Sequence, residues 1–180
     1  ACAIVALGLG LALTKTGLGR VQLLLGLGGC YIALLAVGSL VPGLDFYLRA
    51  ARRGAVDRPW VALTFDDGPD PDTTPLLLDL LRRKRVSAAF FFVGEAARRY
   101  PALVAQAVAD GHLIGNHSDR HGYDWTIGST ERLFTEFANA NHTLTAIVGE
   151  APRFVRTPAG VSRPKLAGVL QRLNLRNVAW

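Results

Sequence analysis

A chain of 180 residues has room for one domain with an appendage, and not for two ordinary domains. Its charge is unevenly placed, because all 14 acidic residues lie at or after Asp45 whereas residues 1–44 carry only Lys15 and Arg20. The other 18 basic residues leave the rest of the chain at a net charge of +4 with no basic stripe interleaved with aromatics, so no nucleic-acid partner is expected.

Residues 21–41 run for 21 positions without a charge, which as a helix reaches about 31 Å, close to the hydrocarbon thickness of a bilayer. The run is longer than the core of a secretory signal, roughly 7–15 residues, and no clear small-x-small cleavage site follows it. Residues 1–44 are therefore expected to be a membrane anchor with its span at 21–41. Residues 1–13 are apolar but short and are expected to be the stump of a truncated first span. With no Met and a strand-like close at Trp180, the chain is expected to be a fragment cut at both ends. Cys2 and Cys30 fall in this leader, where a thiol packs as a small hydrophobe. Residues 45–58 read as a basic linker. Arg49, Arg52, Arg53 and Arg58 would by charge alone hold the C-terminal part of the chain in the cytoplasm.

From residue 59 the pattern alternates. Trp60–Phe65 is a short apolar run stopped by Asp-Asp-Gly-Pro and reads as a buried parallel strand. Thr74 is the expected N-cap of a helix with Pro75 in its first turn, an apolar face of Leu76, Leu77, Leu80 and Leu81, and basic residues 82–85 at its end. A strand is expected at Ser87–Val93, a helix from Pro101 closed by Gly111, and a brief strand at His112–Gly115. Ser129 is the expected N-cap of a longer helix with Leu133, Phe137, Leu144 and Val148 on one face and Gly149 at its end. Arg153–Arg156, Pro164–Leu173 and Arg176–Trp180 read as strand, helix and strand. Five strands alternating with helices predict a parallel α/β sheet or barrel, with functional residues at the strands' C-terminal ends.

Three segments at such ends carry chemistry. In Thr64-Phe65-Asp66-Asp67-Gly68-Pro69 two adjacent carboxylates repel each other unless a cation or donors compensate, and a metal lets one ligate while the other stays free as a base. The pair His117 and His121, four apart, would project from one face if the segment is helical and could share a metal. Arg156, before Thr157-Pro158-Ala159-Gly160, can orient a carboxylate and keep it ionised. Each has an ordinary alternative as a surface turn, polar loop or strand terminus. His112 and His142, lacking such company, are read as structural or surface residues.

Taken together and in this order, the three segments resemble the motifs of the polysaccharide deacetylase family, carbohydrate esterase family 4, which includes the nodulation-type chitooligosaccharide deacetylases. The resemblance covers residues 59–180, the expected deacetylase domain. It implies a distorted (β/α) barrel, incomplete here, with Asp66 as catalytic base, Arg156 orienting it, and Asp67, His117 and His121 binding a divalent metal. Zn is favoured by the two imidazoles, with Co or Mn as alternatives. The Ala159 backbone N–H is the expected oxyanion donor, although the family usually has an aromatic residue at that position. The implied reaction is hydrolysis of N-acetyl groups from a glycan. The general acid is expected beyond Trp180, and because most anchored members act on glycans outside the inner membrane, the domain is expected on the outer face. The competing expectation is a non-catalytic carbohydrate-binding or membrane-scaffold protein on the same fold.

Overall fold

The computed structural model describes residues 17–41, 44–54, 60–122 and 128–180. In chain order its elements are α1 (Gly17–Leu40), β1 (Thr64–Phe65), α2 (Thr74–Lys84), β2 (Ala89–Phe92), α3 (Gly94–Arg99), α4 (Pro101–Ala109), β3 (Leu113–Asn116), α5 (Thr130–Val148), β4 (Phe154–Val155), a 3₁₀ turn (Pro158–Gly160), α6 (Leu166–Arg172) and β5 (Arg176–Asn177). The expected first-span stump at 1–13 and residues 55–59, where linker and domain were expected to meet, lie outside the described residues.

Helix α1 has 24 residues, roughly 36 Å at the helical rise, and is a candidate membrane span by length and composition. It starts four residues before the uncharged run and takes Arg20 into its first turn. Gly38 is its one buried residue, with the Phe46 ring against it. The stretch after α1 is not wholly a linker. Asp45 accepts hydrogen bonds from the Ala50 N–H and the Arg52 guanidinium, and Ala51 forms a parallel bridge with Val178 just beyond β5.

The five strands form one parallel sheet in the order β1-β2-β3-β4-β5. Sequential order follows when each crossover is right-handed and returns on the same side, which builds the wall of a (β/α) barrel rather than a doubly wound sheet. The alternation within β2 shows the two sides. Phe90 and Phe92 pack in a helix-covered cluster with Leu78, Leu81, Val104, Ala107 and Leu144, whereas the buried Phe91 lies beneath the Arg156 guanidinium, 4.3 Å from its ring centre. A second cluster joins Leu133 and Phe137 of α5 to Val155, Leu166, Val169 and Leu170. Truncating one fully buried member such as Leu78 or Leu144 to Ala is expected to cost about 2–5 kcal/mol.

Most expected boundaries hold within a residue or two. Ser129 caps α5 by accepting the Arg132 N–H, and Gly149 closes it in the left-handed conformation. Four expectations need correction, the first being the Arg176–Trp180 strand, which ends at Asn177 with only the Ala51–Val178 bridge beyond it. The Trp60–Phe65 strand shrinks to Thr64–Phe65, because β1 pairs only with β2 and residues 60–63 stand largely exposed at that edge. The cap of α2 is Thr73 rather than Thr74, and its side chain makes no capping bond. The Asp70 carboxylate takes that task, accepting the Asp72 and Thr73 N–H groups, while Thr74 Oγ1 accepts the Asp70 N–H. Finally, α3 arises in a stretch where no helix was expected.

Candidate metal and catalytic site

The chain turns sharply where β1 ends. Asp67 is left-handed (φ 70°), so the two adjacent carboxylates part company: Asp66 is mostly buried, and the Asp67 side chain is 70% exposed. Asp66 Oδ1 lies 2.8 Å from Arg156 Nη1, which also donates to Thr64 Oγ1 at 2.8 Å. Arg156 is itself buried, its guanidinium held over the Phe91 ring. A guanidinium so enclosed needs a carboxylate partner, and the geometry fixes where Asp66 points.

Asp67 turns instead towards the histidines, its Oδ1 3.2 Å from His117 Nε2 and 3.0 Å from His121 Nε2. The three ligand atoms all lie within 4.8 Å of one another. His117 is buried at the end of β3, and its Nδ1 is 2.7 Å from the Arg156 carbonyl oxygen. A carbonyl only accepts, so Nδ1 carries the proton and the Nε2 lone pair faces Asp67. Burial pushes the His117 pKa below 6.5, with the Asp66 charge opposing, so the ring is neutral at pH 7 as a metal ligand requires. One carboxylate oxygen and one imidazole lone pair already meet at the point that the second imidazole reaches. That donor set suits a divalent ion of the zinc type.

The segment His117–His121 is not the helix that the four-residue spacing suggested. Ser118 and His121 are both left-handed (φ 68° and 56°), a conformation that a right-handed helix does not admit. The rings converge nevertheless, with centres 5.0 Å apart, because the loop folds back on itself. Its polar groups are met from several directions. The His117 N–H donates to the Phe92 carbonyl, the Ser118 N–H to Asn116 Oδ1, and the His121 N–H to Ser118 Oγ. The carbonyls of Ser118 and Asp119 accept from the Gly94 and Glu95 N–H groups at the start of α3. Any Cβ at Gly94 would collide with the Asp119 carboxylate and the Ala140 backbone, so that close approach requires glycine.

Sequence reasoning did not find the residues that support this loop: Asn116, Asp119, Arg98 and Glu136. Asn116 is fully buried and its amide donates to the Phe137 carbonyl and to Asn141 Oδ1. The Asp119 carboxylate, also buried, pairs with Arg98 at 2.7 Å, and Arg98 donates in turn to Thr143 Oγ1. Only Glu136 lies on α5, as one of several polar residues beside its buried stripe, and that pattern singles out none of the four. In the third segment Ala159 is left-handed (φ 51°) and exposed, and the turn's own bonds come from the Gly160 and Val161 N–H groups, leaving the Ala159 N–H to other uses. His112 is structural as expected: buried, tilted against Phe90, its Nδ1 accepting the Ala88 N–H.

Residues 53–178 match the family described as Polysaccharide deacetylase. A peptidoglycan-N-acetylglucosamine deacetylase of Bacillus cereus is 38% identical over 107 residues, 59% of this chain and 38% of that protein. A chitooligosaccharide deacetylase of Sinorhizobium fredii is 35% identical over 135 residues, 74% of this chain and 62% of its own length. The crystal structure of the Bc1960 peptidoglycan N-acetylglucosamine deacetylase superposes with a TM-score of 0.67 at 33% identity, covering 71% of this chain and 59% of that one. The chain thus spans between about a third and two thirds of the length of these relatives.

Proposed function

The chain belongs to the polysaccharide deacetylase family, and from that premise we propose that it serves metal-dependent hydrolysis of N-acetyl groups on an amino-sugar polymer or oligosaccharide. The observation that carries this reading is the divergence of two adjacent carboxylates, Asp66 to a buried arginine and Asp67 to two imidazoles. A structural turn needs no such division; a base kept beside a metal ligand does.

In this reading Asp67, His117 and His121 hold a divalent ion, Zn being favoured by the donor set. Bound there, the ion supplies Lewis-acid polarisation of the acetyl carbonyl and activation of a water molecule. Asp66 would accept a proton from the attacking water as the water oxygen bonds to the acetyl carbon. Arg156 would hold the Asp66 carboxylate in place through the 2.8 Å contact, apart from the Asp67, His117 and His121 donor set. The Ala159 N–H donates to the developing oxyanion. The amide C–N bond then breaks, the amine leaves with a proton supplied by an acid, and the products are acetate and a sugar carrying a free amine.

The same reading makes α1 a membrane anchor, residues 45–58 its junction and 59–180 the deacetylase domain, which acts at the outer face where such glycans lie. The test is acetate release from peptidoglycan fragments and chitooligosaccharide by the anchored protein, with added Zn and with a chelator. Release that stops with the chelator and returns with Zn is expected. Glycan binding without turnover would support the non-catalytic alternative instead.

A further inference from the structure

Glu136 sits half-buried on α5, outside the histidine segment, the carboxylate pair and the Arg156 segment, yet a single oxygen of its side chain meets the middle of the loop that carries both histidines. Its Oε1 accepts the backbone N–H of Asp119 at 3.0 Å and that of Arg120 at 2.8 Å, the two residues midway between His117 and His121. Two consecutive N–H groups pointing at one anionic oxygen form a strong charge-assisted contact. The helix is itself anchored to the same loop, since Asn116 donates to the Phe137 carbonyl and Arg98 links Asp119 to Thr143.

The two histidines depend on this contact unequally. His117 follows directly from β3, its backbone bonded to Phe92 and its ring to the Arg156 carbonyl. His121 lies beyond the turn, its backbone left-handed and its side chain a third exposed. Left-handed residues other than glycine are strained and persist where the surroundings over-determine them. Here the loop has two, Ser118 and His121, flanking the pair of N–H groups that Glu136 holds.

We propose that Glu136 is a positioning residue of the metal centre, acting through the Asp119 and Arg120 amides to hold the turn that brings His121 to Asp67 and His117. This rests on the metal-site reading above. Its role is in setting metal affinity and retention, through His121 rather than His117. The bonds of Glu136 run to the loop backbone, and not to the ligand rings or the Asp66–Arg156 pair.

The test is Co²⁺ and Zn²⁺ binding by chelator competition in the wild type, Glu136→Ala, Glu136→Asp and Glu136→Gln, with the Co²⁺ absorption spectrum as a second readout and hydrogen exchange of the 117–122 peptide as a third. Glu136→Ala is expected to weaken binding about 10–100-fold, speed metal release and deprotect the loop amides. Glu136→Gln keeps an oxygen acceptor at the same reach and is expected to recover affinity to within several-fold, with a near wild-type spectrum. Glu136→Asp withdraws the carboxylate by one methylene and should fall between them, which keeps the order readable if the alanine variant does not fold. Wild-type affinity and loop protection in both Glu136→Ala and Glu136→Asp would overturn the proposal alone. Failure of the wild type to bind either ion would overturn the metal-site reading and the proposal with it.

Discussion

The loop after β3 presents His117 and His121 from a backbone in which every N–H from residue 117 to 121 has an acceptor. The loop after β1 presents Asp67 from an edge strand of two residues, with its side chain 70% exposed. Under the proposed metal site, the difference separates two of its requirements. Buried neutral imidazole must be placed during folding, because its orientation depends on hydrogen bonds that cannot be remade cheaply later. A carboxylate gains by staying hydrated until a cation replaces its water, since an unpaired buried charge costs far more than an exposed one. Asp66, next in sequence to Asp67, follows the opposite rule because Arg156 compensates it.

The comparison is most exposed to failure at Asn116. Its side chain accepts the Ser118 N–H and donates to the Phe137 carbonyl at once, and the residue has no solvent access. Asn116→Leu leaves that N–H without its acceptor and removes a donor from that carbonyl. A loss of about 2–4 kcal/mol in denaturant unfolding is expected, roughly 1–3 kcal/mol of it from the abandoned amide and the rest from the lost side-chain bonds. An effect below about 1 kcal/mol would mean that these bonds do not hold the β3 loop.

A smaller contrast is expected between the ligands themselves. His117→Ala opens a buried space and strands the Arg156 carbonyl, so the metal-free protein should lose about 2–3 kcal/mol. Asp67→Ala should change metal-free stability by no more than about 0.5 kcal/mol, as an exposed position does, while still weakening metal binding. Equal destabilisation by the two would erase the distinction between the loops.

Acid sharpens the same contrast. Burial lowers the pKa of both His117 and His112 below 6.5, so on acidification the unfolded chain takes up protons before the folded one. The contribution of these two groups is therefore fully present above pH 6.5 and is lost as pH falls from 6.5 through their folded values. Metal-free protein followed by its unfolding midpoint between pH 8 and 5 should show a decline that begins near 6.5, and His112→Gln should reduce it. A midpoint rising on acidification in that range would contradict the sign.

The elements that local pattern governs are legible in the amino-acid sequence. Ser129 and Gly149 bound α5 because a cap and a left-handed stop are chemical properties of those residues, and Phe90 to Phe92 announce a buried strand by composition. The three chemical segments are legible for a related reason, since each follows a strand and the C-terminal ends of parallel strands converge. The features that escape a sequence reading depend on partners distant along the chain. Helix α3 has only six residues, too few for a periodic signal, and its first N–H groups are used by a loop more than twenty residues on. The spacing of His117 and His121 suggests one helical turn, and the turn that replaces it combines a local bond, from the Ser118 N–H to Asn116, with two bonds to Glu136, which no local rule connects to the loop. Residues 60–63 read as strand from their apolar character, but an edge strand with a neighbour on one side only pairs for as long as that neighbour extends.

Asp66 and Asp67, joined by one peptide bond, are assigned different work, and everything proposed for the site depends on that division. Its most direct test is a paired measurement on Asp66→Asn and Asp67→Asn in the full-length parent protein, reading bound metal and acetate release from the same preparations. Asp66→Asn is expected to keep nearly the wild-type metal content and lose turnover by about 100-fold or more, the usual contribution of a general base. Asp67→Asn is expected to lose both. Equal metal loss in the two variants would make Asp66 a ligand and contradict the division of roles, as would turnover that survives in Asp66→Asn.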